Sequence, residues 1–161
     1  MRYILRRREV VADDWAHLGE EVAADAALIV PLAALRADAA RWSVWRGRLG
    51  ARLAPADAPE DLAAGLPRLD LVALEFLSPG DGRGYSQARL LRGRLGFRGE
   101  LRAVGVKQDQ VFLLARCGFD AMELAPGEDP EAARRALSRY SVAYQPGAGG
   151  VRLARQRFCA P

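Results

Sequence analysis

Asp81 and Arg83 stand two residues apart in the stretch DGRGYSQARLLR, followed by Ser86 and Arg89, while Lys107 and Asp109 share a second polar stretch, VKQDQ. These residue types could hold an anion and act on it. Arg83, Arg89 and Lys107 supply positive charge, and Ser86 can cap a helix whose free backbone amides favour sulfate, sulfite or phosphate. Asp81 or Asp109 could then move a proton. A plainer role fits the same residues: Asp81 holding the amides of a tight glycine turn, with Arg83 paired to an acid. Glu75 and Arg102 sit inside two apolar segments, where each needs a partner if buried, and they could pair with each other.

The elements that must position these residues can be read from periodicity. Leu71 to Leu77 is a nearly continuous apolar run, as expected of a strand covered on both faces. Further strands are expected at Leu28-Ile29-Val30, Leu49 to Ala54, Glu100 to Val104 and Phe119 to Leu124. Helices should fill the intervals: Leu32 to Arg46, a segment capped by Asp57 that stops near Pro67, Gln87 to Leu95 after Ser86, Asp109 to Arg116, and Glu131 to Tyr140 after the Asp129 cap and Pro130. Tyr3-Ile4-Leu5 and Glu9-Val10-Val11 suggest a short hairpin or extended arm.

Strands joined through helices run parallel. The expectation is therefore an α/β domain of about five parallel strands alternating with helices, either an open doubly wound sheet or a partial, barrel-like arc; five units cannot make a full eight-stranded barrel. Residues 1–145 form that single domain, and 146–161 are expected as a mobile basic tail. Ligands of parallel sheets collect at the carboxyl ends of the strands, so the loops after Phe76, Val104 and Leu124 should share a rim.

Half of the 161 residues are hydrophobic and 27% are charged, the composition of a packed globular chain. Of 24 basic residues only Lys107 is a lysine, so the net charge of +4 is carried by guanidinium groups, which suit planar contact with carboxylates, phosphates and partner surfaces. Apart from Arg6 to Arg8 the basic residues are scattered among acids, a pattern that does not favour nucleic acid. Nowhere do about 18 apolar residues follow one another, and no secretory leader pattern opens the chain, so no membrane role is expected and the cytoplasm is the expected compartment.

Cys117 and Cys159 lie far apart, and His17 has no companion histidine, so no metal site is expected. Cys117, near a helix C-terminus, reads as a packed, inert thiol. Neither GxGxxG after a strand nor GxxxxGK[ST] occurs, and no cofactor is evident. Trp42 and Trp45, three apart, fit one helix face in a core or at an interface.

Four linked motifs, Asp81-Gly82-Arg83-Gly84-Tyr85-Ser86, Ala88-Arg89-Leu90-Leu91-Arg92, Gly99-Glu100-Leu101-Arg102-Ala103 and Asp109-Gln110, give the chain a family likeness from about Ala27 to Gln145. On these residues it resembles a family of uncharacterised bacterial proteins taken to be oxidoreductases involved in sulfite reduction. The resemblance implies genes lying beside those for sulfite reductase and phosphoadenylyl sulfate reductase, and so a part in assimilatory sulfate reduction and cysteine biosynthesis. Val106-Lys107 departs from the family's usual Asp-Val, which removes an acidic group just after the fourth strand. Two functions are compatible with all of this: an accessory protein acting with sulfite reductase or another enzyme of the pathway, or a small enzyme acting on a sulfur oxyanion or sulfur-bearing metabolite. Either is compatible with a homo-oligomer.

Overall fold

In a computed structural model, which describes residues 2–78, 80–139, 142–143 and 152–153, the expected strands form the centre of one larger sheet. β1 (Tyr3–Arg6) and β2 (Glu9–Ala12) make the hairpin, followed by β3 (Ala16–His17), β4 (Leu28–Pro31), β5 (Leu49–Leu53), β6 (Leu71–Glu75), β7 (Glu100–Val106) and β8 (Ala121–Leu124). Their order is β2-β1-β8-β7-β6-β5-β4-β3. From β3 to β8 every neighbouring pair is parallel, and β1 joins β8 antiparallel. Three more strands are thus present in this sheet than the helix alternation reveals: β3 is only two residues long, and the β1–β2 hairpin has no helix to mark it.

Strand parity explains the layering. Leu28, Val30, Leu49, Ala51, Leu53, Val72, Leu74, Leu101, Ala103 and Met122 point to one face and pack with the helix residues Leu32, Trp42, Ala88, Leu91, Val111, Leu114, Ala133 and Leu137. The alternate positions Ile29, Leu71 and Ala73 point the other way and enclose Trp15, without a helix. Helices on one face and neighbours in sequence order make the barrel-like arc, an open curled sheet, rather than the doubly wound arrangement.

The curl is strong enough that the chain itself spans the opening. Only Asp13, Asp14 and Trp15 separate β2 at one edge from β3 at the other, so the ends they join are no more than about 14 Å apart.

The helices differ locally from expectation. Leu32 to Arg46 is broken into α1 (Leu32–Ala37) and α2 (Ala39–Ser43), because Asp38 leaves helical geometry and its carboxylate accepts the Arg41 amide at 3.1 Å. The Asp57 segment forms two 3-10 turns, Pro59–Leu62 and Leu66–Arg68, and Asp57 caps neither; its carboxylate accepts the Ala54 amide at 2.8 Å instead. Then come α3 (Arg83–Arg89), continuing into a π turn at Leu90–Arg94, α4 (Val111–Arg116) and α5 (Pro130–Ser138). Asp129 caps α5 as expected, accepting from the Glu131 amide at 2.9 Å. The two-residue strands β9 (Val142–Ala143) and β10 (Arg152–Leu153) pair with each other; the rest of the expected tail, with Cys159, lies outside the described residues.

Candidate functional site

The parallel pairing of β6 with β7 sets the loops after them side by side. The Phe76 amide donates to the Val104 carbonyl at 2.9 Å just past the last β6–β7 pair, and Gly105, with φ +77°, forms a bulge in the β7–β8 ladder, which resumes at Val106 opposite Leu124. In the first loop Asp81 binds its own neighbour: the Arg83 backbone amide donates to Oδ1 at 3.1 Å, and Arg83 Nη2 to Oδ2 at 2.7 Å. The guanidinium and amide of Arg83 hold the Asp81 carboxyl down at about 2, the wrong direction for a group that must take up a proton near neutrality. In the second loop Lys107 and Asp109 are exposed, and the Lys107 amide donates to Gln110 Oε1 at 2.9 Å. Among the described residues no ion pair joins the charged side chains of the two loops.

Ser86 is not a cap. The helix begins earlier, at Arg83 with Gly82 in the cap position, because the Asp81 turn already satisfies the first amide. Ser86 and Arg89 therefore lie along α3 and line a cleft on the helical side of the sheet. The six proposed site residues divide between the strand-end rim and that cleft, so they do not form one anion pocket.

Arg102 and Glu75 do not pair with each other. Both lie on the concave face, but register places Arg102 opposite Ala73 and Glu75 opposite Val104. Arg102, completely buried, donates through Nη1 to both oxygens of Asp13 at 3.0 Å, and through Nε and Nη2 to Glu100 Oε1 at 3.1 and 3.0 Å. Glu75 is paired with Arg52 on the next strand at 3.1 Å. Asp13 is the residue sequence reasoning missed: in the chain it reads as a polar stop after the hairpin, and only closure of the arc carries it to the middle of β7. Curling also brings His17 of β3 within 3.6 Å of Glu123 of β8, with four strands between them in the sheet. Burial pushes the Glu123 carboxyl up, but His17, Arg2 and Arg102 outweigh it and leave it below its ordinary value.

The cleft, of about 1510 Å3, opens on the other side, where α3 and its π turn face the C-terminal end of α4 near the starts of β7 and β8 and the β1–β2 turn. Seven arginines line it against two acids, Glu100 and Asp120. Arg92 is fixed in its wall: Nη1 donates to the carbonyls of Phe97 and Gly99, each at 2.9 Å, and Nη2 to Asp120. Arg7, Arg8, Arg89 and Arg98 are exposed and form no ion pair among the described residues. Cys117 and Tyr85 also line the cleft; burial pushes the Cys117 thiol up, against the pull of Arg116, and burial pushes Tyr85 up as well. A thiol shifted that way is a poor nucleophile at neutral pH. Among the described residues no three His, Cys, Asp or Glu side chains gather where they could hold a metal ion, and no helix is long and apolar enough to cross a membrane.

Fold and site together define an α/β half-barrel with an internally neutralised concave face and an arginine-lined cleft on its helical side. The chain belongs to a bacterial protein family of unknown function, DUF934, whose model matches residues 50–153, a span that takes in β5 from Gly50 onward, β6 through β8, the DGRGYS motif and the greater part of the cleft. No curated protein matches it.

Proposed function

We propose that this protein is a cytoplasmic accessory protein of assimilatory sulfate and sulfite reduction that acts by binding sulfite reductase. What supports a binding role is where charge is neutralised and where it is not. Around the concave face and its rim, where barrels of this kind carry their chemistry, Arg102, Glu75 and Asp81 are each paired within the chain. On the helical side four exposed cleft arginines form no ion pair among the described residues and can meet charge from outside the chain. The pathway itself comes from the family likeness in the DGRGYS and neighbouring motifs.

Co-purification tests the partner: near-equal recovery with sulfite reductase is expected, and loss of association across several salt concentrations refutes it. Growth of a deletion strain tests the pathway. Rescue by cysteine but not sulfite places the requirement at or after sulfite, rescue by sulfite places it earlier, and normal growth on sulfate removes the protein from the pathway.

A second reading, a small enzyme acting on a sulfur oxyanion, is favoured by the Tyr85 hydroxyl lining the same cleft as Arg89. A rise in Tm with sulfite, sulfate or adenylyl sulfate that disappears in Arg89→Ala would support it.

A further inference from the structure

The geometry points to the arginine-lined cleft as a binding site for an extended acidic segment of a partner polypeptide, with the Arg7–Arg8 turn as its clamp. The inference rests on the binding role proposed above and names the surface and the chemistry of the partner.

Size comes first. Small-molecule sites enclose roughly 300–1,000 Å3, and this cleft, at about 1510 Å3, would be mostly empty around a single sulfate or metabolite. An extended chain could reach both Arg89 and Arg98, from α3 and the segment before β7, and Arg7 and Arg8, from the β1–β2 turn.

The second observation is the turn itself. Arg6 pairs with Glu9, so the hairpin has a two-residue connection, and both residues in it have positive φ, 49° for Arg7 and 74° for Arg8. Such turns prefer Asn-Gly or Gly-Gly, because a side chain crowds the backbone there. Two arginines occupy the least suitable positions in the hairpin, and both line the cleft. The Arg7 amide donates to the Asp120 carbonyl at 3.0 Å, and Asp120 is itself held by Arg92. The turn is thus tied to the start of β8 before anything binds.

Other occupants fit less well. Of the two rings lining the cleft, Phe119 is buried and Tyr85 is half-buried against Phe76 at 5.2 Å, so neither offers the open face on which nucleic-acid bases stack. Residues 144–161 are not complementary, since they hold Arg152, Arg155 and Arg157 and no acid.

The test uses the full chain and fluorescently labelled octaglutamate, read by anisotropy. Octaglutamate should bind, octaglutamine should not, and affinity should fall steeply with salt. The double variant R7N/R8G installs the residues the turn prefers, so Tm should stay level or rise while affinity falls about tenfold or more. R89A/R98A should show the same loss. Equal binding of octaglutamine, full affinity in both double variants, tighter binding of single-stranded oligouridine, or displacement by sulfate as effective as by unlabelled peptide would each overturn the inference. Capture of sulfite reductase by wild type and R7N/R8G in parallel separates the two proposals. Capture that survives R7N/R8G overturns the cleft assignment while the accessory role stands; octaglutamate binding without capture supports the cleft and removes sulfite reductase as its partner.

Discussion

A guanidinium with no access to solvent has to be met on every side, and Arg102 is: Asp13 takes one amino group, while Glu100 takes Nε and the other amino group. Asp13, also completely buried at its side chain, further pairs with Arg2 at 3.3 Å and accepts the Trp15 amide at 3.3 Å. Removing one partner leaves the other buried with only part of its charge met, by Glu100 for Arg102 or by Arg2 for Asp13, which costs up to about 3–5 kcal/mol, whereas removing both takes away the two most buried charges together. Arg102→Ala and Asp13→Asn should each lower urea-unfolding stability by about that much, and D13N/R102M should be less destabilised than the sum of its single changes. Single variants within about 1 kcal/mol of wild type would mean that the pair is not buried as described. The need for a partner was legible at Arg102 from its apolar neighbours. Its identity was not, because Asp13 lies 89 positions away and reaches it only through curvature that no local pattern encodes.

At the scale of elements, the DGRGYS motif turns out to be a packing device between β6 and α3. Asp81 fixes the turn, and Gly84 lets the Phe76 ring lie against the helix backbone: a Cβ on Gly84 would stand 2.6 Å from Phe76 Cζ. Phe76 is in turn held edge-on by Tyr85 at 5.2 Å and Phe119 at 5.9 Å, so it has little room to yield. Gly84→Ala should therefore destabilise by about 1–3 kcal/mol through overpacking. Gly82→Ala, at a residue with nothing within 4 Å and ordinary φ, should change little, and thermal melts of the two variants would distinguish packing from a general need for glycine in the loop. The motif's residues were legible as a turn leading into a helix, but the glycine's reason was not, since it depends on a ring from the preceding strand. The same limit applies to Leu32–Ser43: helical composition was plain, and the break at Asp38 follows from a side chain that caps the second helix better than it continues the first.

Across the whole molecule, alternation of apolar strands and helices fixes the parallel core but says nothing of how far the sheet bends or what seals it. Beside the packing of Trp15, ion pairs line the closure. Asp14 receives Arg48, from just before β5, at 2.5 Å and Arg6 of β1 at 2.9 Å, while Glu123 meets His17 across the concave side. Partial burial raises the Asp14 carboxyl, but the two arginines prevail and hold it at about 2, against an ordinary 3.8, and Glu123 is likewise lowered. Because both acids ionise at lower pH in the folded chain than in the unfolded one, the unfolded chain binds more protons in acid. Stability from these groups is therefore complete above about pH 5 and lost as pH falls toward 2. Asp14 is nearly half exposed, so solvent screening keeps its share under about 1 kcal/mol. D14N/E123Q should accordingly be modestly less stable than wild type at pH 7 and should lose less stability between about pH 5 and pH 2, so that the two urea-unfolding curves converge in acid. Parallel pH profiles, with the variant offset by the same amount throughout, would show that the arc is sealed by packing around Trp15 and Ile29 rather than by these ion pairs.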